Sequence, residues 1–377
     1  MMEEADTVLA PGLNINVESI KVAAAVKDDD SLVFVVKSQE LSSSKEHCVD
    51  RNFEDFVWLQ SCLLSQDEVP GLQGIIFPPL PAKPYLSLSN SQAKMIKQLG
   101  LLGLSENWQT YCKALEEYLQ QVLSHTILSK NVDLQSFLTL KEQPGRHVRR
   151  KGIFGRLSQA LEVMTKENHK DIDGYFQNER DANLCLTRLT KAAAEKFLNL
   201  VLTQQRISLA CGHLSTSLHL GVMQDEDPTA VKFSKLCLKL SEIINTVKQN
   251  YEKIAENNLN SLGLMLDLDS RHQEAEKEML FRRTCKLVEL EDINKNLAKA
   301  KPIKKAALED ERKTTETEFK LISDVAKLEI EKLRRGRAEA FQQKLTAWCE
   351  SHIQTARDTL NSIVQHLDTF RLQDGKK

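Results

Sequence analysis

Nine prolines are spread very unevenly along this chain of 377 residues. Pro11, Pro70, Pro78, Pro79, Pro81, Pro84 and Pro144 fall in the first part; everything after Pro144 holds only Pro228 and Pro302. A proline inside a helix removes a backbone hydrogen bond and clashes with the preceding turn, at about 3 kcal/mol. Two prolines in so long a polar stretch therefore read as punctuation between long helices, over roughly 171–224, 229–301 and 303–371. Helices of about 50 to 70 residues reach roughly 75 to 105 Å. No compact globule buries such rods, so they are expected to pack along one another and along a second subunit.

Composition points to assembly rather than chemistry. The eight cysteines, from Cys48 to Cys349, never form a Cys-x-x-Cys pair, so neither a disulfide framework nor a zinc site is expected. The acidic start Met1-Met2-Glu3-Glu4 does not read as a signal peptide, and Met2 stands where myristoylation would need glycine. No apolar run approaches the eighteen or so residues that span a bilayer. A net charge of −2 argues against a dedicated nucleic-acid binder. There is no Gly-rich phosphate loop, His-Glu-x-x-His or nucleophile elbow, and Asp267 and Asp269 lack the spacing of a calcium loop. The chain is read as a non-enzyme with no metal or other cofactor.

The first 142 residues suggest a small α+β domain: three antiparallel strands followed by helices. Strands are expected over Ile15–Val22, Ser31–Val36 and His47–Arg51. Helical spacing takes over at Phe53, Phe56, Val57, Leu59, Leu63 and Leu64. Phe77-Pro78-Pro79-Leu80-Pro81-Ala82-Lys83-Pro84 favours an extended conformation, and helices are expected at about 91–100 and 105–127, with Asn131 to Leu140 closing the domain.

At the junction, Arg146-His147-Val148-Arg149-Arg150-Lys151 leads into Ile153-Phe154-Gly155-Arg156-Leu157, with no acid between Glu142 and Glu162. Ile153, Phe154, Leu157, Leu161 and Met164 share one helical stripe. The pattern fits a helix lying among anionic headgroups, with Arg149, Arg150, Lys151 and Arg156 holding them. It fits equally the first turns of a helix that buries its apolar face in protein.

In the long-helix region Phe341, Leu345, Trp348, His352, Leu360, Ile363, Leu367 and Phe370 follow one another at helical spacing and read as a core or dimer seam. Leu236, Leu240, Ile243, Val247, Tyr251 and Ile254 repeat the pattern, and His352 reads as a core histidine rather than a ligand. Arg282, Arg283, Lys286, Arg334, Arg335 and Arg337 form basic clusters that would gain about 1 kcal/mol each near anionic lipid.

Arg51-Asn52-Phe53-Glu54-Asp55-Phe56, Pro78-Pro79-Leu80-Pro81-Ala82-Lys83, Lys113 to Leu119 and Leu128-Ser129-Lys130, in this order, resemble a phox-homology (PX) domain. Such domains commonly grip a 3-phosphoinositide with an arginine just before the aromatic of the first motif. Here Asn52 stands in that place, and an amide lacks the bidentate, charge-assisted grip of guanidinium. The pocket remnant is therefore Arg51, Asn52, Phe53 and Lys83, with Arg51 and Lys83 read as surface charges. The same departure, with Phe281-Arg282-Arg283-Thr284 and Leu333-Arg334-Arg335-Gly336-Arg337, resembles the sorting nexins numbered five, six and thirty-two, which pair a PX with a BAR domain.

That resemblance implies domains at 1–142 (PX), 143–169 (basic linker and amphipathic helix) and 170–377 (BAR, three long helices). It implies a membrane-remodelling, tubule-forming adaptor that dimerises through its BAR domain, binds anionic or phosphoinositide curved membrane and sorts cargo by receptor tails that add to the PX sheet edge. The helical excursion at 85–127 is shorter than that subgroup's. The partner implied is a sorting nexin of the one/two branch as heterodimer. The place implied is cytoplasmic, on early or recycling endosomes and their tubules, in transport to the Golgi or back to the surface. A coiled-coil scaffold or tether without membrane-shaping activity is the alternative from the heptads alone.

Overall fold

A computed structural model describes residues 15–28, 31–41, 45–66, 69–82, 108–142, 169–221 and 227–374. The expected helix at 91–100, Lys83 and the whole junction from Arg149 to Met164 lie outside the described residues.

Three strands, β1 Lys21–Asp28, β2 Ser31–Gln39 and β3 Glu46–Asn52, form an antiparallel sheet in the order β1-β2-β3. The first strand starts later than its alternation suggested. Asn16 accepts a hydrogen bond from the Glu18 amide (3.0 Å) and winds Val17–Ser19 into a 3-10 turn, so only Ile15 still bridges to Glu40. A bulge between Val22 and Ala24 resets the β1–β2 register. In β2, Leu32, Phe34 and Val36 alternate inward and are buried.

Helix α1, Phe53–Leu64, follows β3 directly; α2, Trp108–Ser124, lies along β1; α3, Val132–Thr139, closes the domain. On α2 the residues Tyr111, Leu115, Tyr118, Leu119 and Val122 are all buried, as expected of a 3.6-residue stripe against a sheet. The two tyrosines also carry polar tips, which donate to Ala82 O (2.7 Å) and Gln60 Oε1 (2.6 Å). Glu116 on the same helix accepts from the Val22 amide (3.0 Å) and thereby covers part of the β1 edge.

Three long helical stretches follow, bounded where the prolines fall. Helix α4 spans Gly174–Leu220. Helix α5, Pro228–Asn258, passes through a π-helical turn at Leu259–Gly263 into α6, Leu264–Lys299. Helix α7 runs over Pro302–Asp374, 73 residues or about 110 Å. Both prolines open their helices, where the missing N–H costs nothing, and Asp227 caps α5 by accepting from the Ala230 amide (3.0 Å).

The chain forms two compact units. The first joins the sheet domain to the start of α4, as far as Thr190, and to Leu268–Gly336. Its helical core is built from Phe176, Met279, Leu280, Ala326 and Ile330, with Ile76 of the sheet domain among them. The second unit holds Lys191–Asp267 and the chain from Arg337 onward, with Leu198, Val201, Ala255 and Leu259 at its centre.

In the second unit polar groups are buried between the helices. Ser215 and Ser241 bond each other across α4 and α5 (3.0 Å). Asn258, 1 % exposed, donates to Gln204 Oε1 (2.9 Å) and accepts at one oxygen from Trp348 Nε1 (2.7 Å) and His352 Nε2 (2.6 Å). That oxygen has no hydrogen to give, so the His352 proton sits on Nε2. His352 is thus a hydrogen-bonding half-buried residue beside Trp348, their rings 4.5 Å apart.

Candidate functional site

The corner between β3 and α1 carries the residues where a phosphate grip is expected. Asn52 occupies the N-cap of α1 in extended backbone. Its Oδ1 accepts from the Asp55 amide (3.0 Å), and its own amide donates to Asp55 Oδ2 (2.8 Å), a reciprocal capping box. The side-chain acceptor is therefore committed to the helix end. Phe53 sits against Tyr111, ring centroids 6.5 Å apart.

Arg51 is not the surface charge its neighbourhood suggested. It is fully buried, donating from Nε to Phe137 O (3.0 Å), from Nη1 to Asp50 O (2.8 Å) and from Nη2 to Leu140 O, with its guanidinium 5.3 Å from the Phe137 ring. Burial pushes its pKa below the ordinary arginine value, against the opposing pull of Asp55 and Asp50. The cation fastens the carbonyls around the C-terminus of α3 to β3, which is favourable at a helix C-terminus. It has no donor aimed at a ligand.

The basic run in α6 is likewise turned inward. Arg282 is 2 % exposed; its Nε donates to Gln73 O (3.2 Å), its Nη2 to Ile75 O (2.5 Å), and it stands 5.3 Å from the Phe77 ring. Burial lowers its pKa to about 10, with Glu278 pulling the other way. Arg283 is also 2 % exposed, ion-paired to Asp171 (2.5 Å), bonded to Ser323 Oγ (2.9 Å) and lying 3.5 Å from the Phe176 ring. Burial lowers its pKa too, while Asp171 opposes the shift. Lys286 is mostly covered and paired with Glu318 (2.6 Å) and Glu289 (3.1 Å).

These three were expected to face lipid. Adjacent positions on a helix point about 100° apart. Arg282 therefore meets the sheet domain and Arg283 the strap entering α4, and both are consumed inside the first unit. Arg334 and Arg335 do expose their side chains, although Arg334 pairs with Glu179 and Arg335 with Glu331 (3.4 Å). Arg337 is half-buried.

The segment that Arg282 holds is the least regular part of the sheet domain. Gly71 adopts a left-handed φ of 77°, Leu72–Gly74 make a 3-10 turn, and Gly74 lies flat on α7. A Cβ at Gly74 would stand 2.4 Å from Ile322 O, so only glycine allows that approach. Glu329 of α7 accepts the Ile76 amide on Oε2 (3.3 Å) and faces His125 Nε2 with Oε1 (3.3 Å). His125 Nδ1 accepts the amides of Ile127 and Leu128 (3.2 and 3.3 Å), which puts the ring proton on Nε2, toward the carboxylate. Glu329, His125, Asp171 and Asn258 carry no sequence signature. Gly71-x-x-Gly74 ahead of the proline run is the single trace of the contact.

The apolar stripe of α7 is not an internal core of the chain. Phe341, Leu345, Leu360, Ile363 and Leu367 are exposed, Leu360 at 62 %, while Trp348 and His352 are half-buried through their bonds to Asn258. Leu236 and Leu240 of α5 and Phe233, at 69 %, are exposed as well. The period read from sequence is present, yet its residues are left uncovered within one chain. Among the described residues no group of acids, histidines or cysteines is arranged to hold a metal, and no helix is long and apolar enough to cross a membrane.

Comparison with known proteins agrees with these features. The PX domain family matches residues 39–141. Sorting nexin-6 of Mus musculus is 24 % identical over 92 % of this chain and 91 % of its own length. Sorting nexin-32 of Homo sapiens is 23 % identical over 90 % and 89 %. Human sorting nexin-1 is 26 % identical over 61 % of this chain and 43 % of its own. Among solved structures, the SNX-BAR Mvp1 tetramer aligns over 93 % of this chain and all of that chain, with a TM-score of 0.50 at 15 % identity, a likeness of fold.

Proposed function

We propose that this chain, a sorting nexin of the PX-BAR type resembling the five, six and thirty-two subgroup, is a membrane-associated trafficking adaptor that sorts cargo by protein contacts of its PX domain. The observation that carries the cargo reading is the Asn52–Asp55 capping box. The position that should grip a 3-phosphate instead caps α1, and the adjacent Arg51 is spent on carbonyls of its own domain. The PX domain still belongs to a family that meets phosphoinositide-bearing membrane. Attraction to the headgroups is then general and electrostatic, supplied by the exposed Arg334 and Arg335 and by the junction residues Arg149, Arg150, Lys151 and Arg156. Ile153, Phe154, Leu157, Leu161 and Met164 would enter the acyl boundary beside them.

Dimerisation along the long helices is supported by the exposed Phe341–Leu367 stripe, whose apolar area one chain leaves in water. The partner we favour is a sorting nexin of the one/two branch, on early or recycling endosomes and their tubules. The working division is 1–142, 143–169 and 170–377. Vesicle co-sedimentation of the full chain, with phosphatidylserine or a 3-phosphoinositide at equal charge, tests the first claim. Equal binding is expected. A tenfold preference for the phosphoinositide corresponds to about 1.4 kcal/mol of specific contact and would overturn it.

A further inference from the structure

Gln73 to Phe77 is held from two sides by two different helices of the first unit. From α6, Arg282 donates to the carbonyls of Gln73 and Ile75. From α7, Glu329 accepts the amide of Ile76, the other side of the Ile75–Ile76 peptide unit. Two alternate carbonyls are thus satisfied from α6 and the amide that follows them from α7, so side chains of two helices supply partners that this stretch of main chain needs. Gly74 lets the backbone down onto Ile322, and Ile76 inserts among Phe176, Met279 and Ile330. Both charged groups are largely covered, Glu329 at 14 % side-chain exposure, so these bonds compete little with water.

We propose that Arg282 and Glu329 are positioning residues that clamp the backbone of 73–77, so that the PX domain and the adjoining stretch of the helices act as one rigid body. The clamp reads main chain, not side chains, and it spends a cation that the sequence offers for lipid. Its consequence, which rests on the adaptor reading above, is that Glu142 and His169, the ends between which the basic junction runs, are held on one body with Arg334 and Arg335 of α7, so that both basic contacts meet a membrane at a fixed angle. Two contacts on one body engage without the loss that a flexible tether imposes.

Amide exchange on the full chain tests the clamp directly. Arg282→Met combined with Glu329→Gln should speed exchange at Ile75, Ile76 and Phe77 by about tenfold or more, while β2 amides such as Val36 keep their protection. Arg282→Lys preserves charge and bulk but offers a point charge where the fork spans two carbonyls, and should move exchange in the same direction. Unchanged exchange at 75–77 in both variants overturns the clamp. So does equal loss at Val36, which would make these residues general supports of the domain.

A second readout separates the consequence from the clamp. Vesicles of phosphatidylcholine and phosphatidylserine should bind the clamped protein about tenfold more tightly than the released variant. Faster exchange with unchanged vesicle binding overturns fixed-angle presentation. Absence of binding by the unmodified chain overturns the adaptor reading instead, and the exchange result then decides the clamp alone.

Discussion

Replacing Gly74 by alanine adds one methyl group, and the structure fixes where it goes. The new Cβ would lie 2.4 Å from Ile322 O, 3.1 Å from Val325 Cβ and 3.2 Å from Ala326 N. Two of those three atoms are backbone of a long helix, so no rotamer change relieves the overlap. The loop must lift by close to an ångström, a strain of about 1–3 kcal/mol for overpacking. The same lift stretches the Arg282–Ile75 and Ile76–Glu329 bonds, which are charge-assisted and covered, and each is of the kind that contributes about 1.5–3 kcal/mol.

Since the loop can escape the overlap only by surrendering part of those bonds, the costs overlap, and about 3 kcal/mol is expected. For a unit of roughly 150–250 residues that lowers the thermal midpoint by about 6–12 °C. Gly71→Ala makes the comparison informative. There the cost is the left-handed φ, about 1–2 kcal/mol, and the nearest atoms are side-chain carbons of Val325 and Leu321 that can yield. Differential scanning calorimetry of both variants in the full chain should rank Gly74→Ala well below Gly71→Ala. Equal midpoints, or a Gly74→Ala midpoint at the wild-type value, would refute the close approach of this loop to α7.

Asp171→Ala leaves the Arg283 guanidinium buried without its carboxylate and should cost about 3–5 kcal/mol by urea denaturation; Asp171→Asn, which keeps hydrogen-bonding capacity, should cost less. Asp173 resists the upward push of desolvation: the Tyr175 amide and Lys327 hold its pKa below the usual carboxylate value. A lowered folded-state pKa adds stability above about pH 4 that is lost as pH falls through the folded value, so Lys327→Met should destabilise at neutral pH and lose that deficit in acid. Leu360→Asp, at an exposed site, should leave helical content unchanged and lower the dimer mass seen by light scattering; an unchanged mass would remove that stripe from the subunit contact.

The long helices were legible because proline and apolar period act locally. Pro228 and Pro302 stand at helix starts, where sequence placed the breaks, and α1 follows β3 where the period changes at Phe53. What failed was the judgement that Arg51, Arg282 and Arg283 stand at the surface. Arg282 and Arg283 sit in a run that looks solvated, since a pattern along one helix cannot show that another domain lands on it. The stripe from Phe341 to Leu367, read as a core or dimer seam, is uncovered within one chain: apolar spacing says that a face wants cover, not which chain provides it. Ile15–Val22 misled because the Asn16 side chain bonds a nearby amide and turns the chain before β1 begins.

Asn258 has a consequence for how rods of this length find their alignment. Helices with apolar residues every three or four positions can slide past one another by a heptad, about 10.5 Å, and still bring oil to oil. Sliding α7 along α5 would pull Trp348 and His352 away from Asn258 and strand three polar groups in a dry layer. Sliding α4 would do the same to Gln204, and at the other end to Ser215 against Ser241. The apolar contacts are a ruler without numerals; these side chains engrave the numerals. Misaligned assemblies would be sticky but unsatisfied and free to slip further, until the one alignment that answers Asn258, Gln204 and the two serines stops the motion.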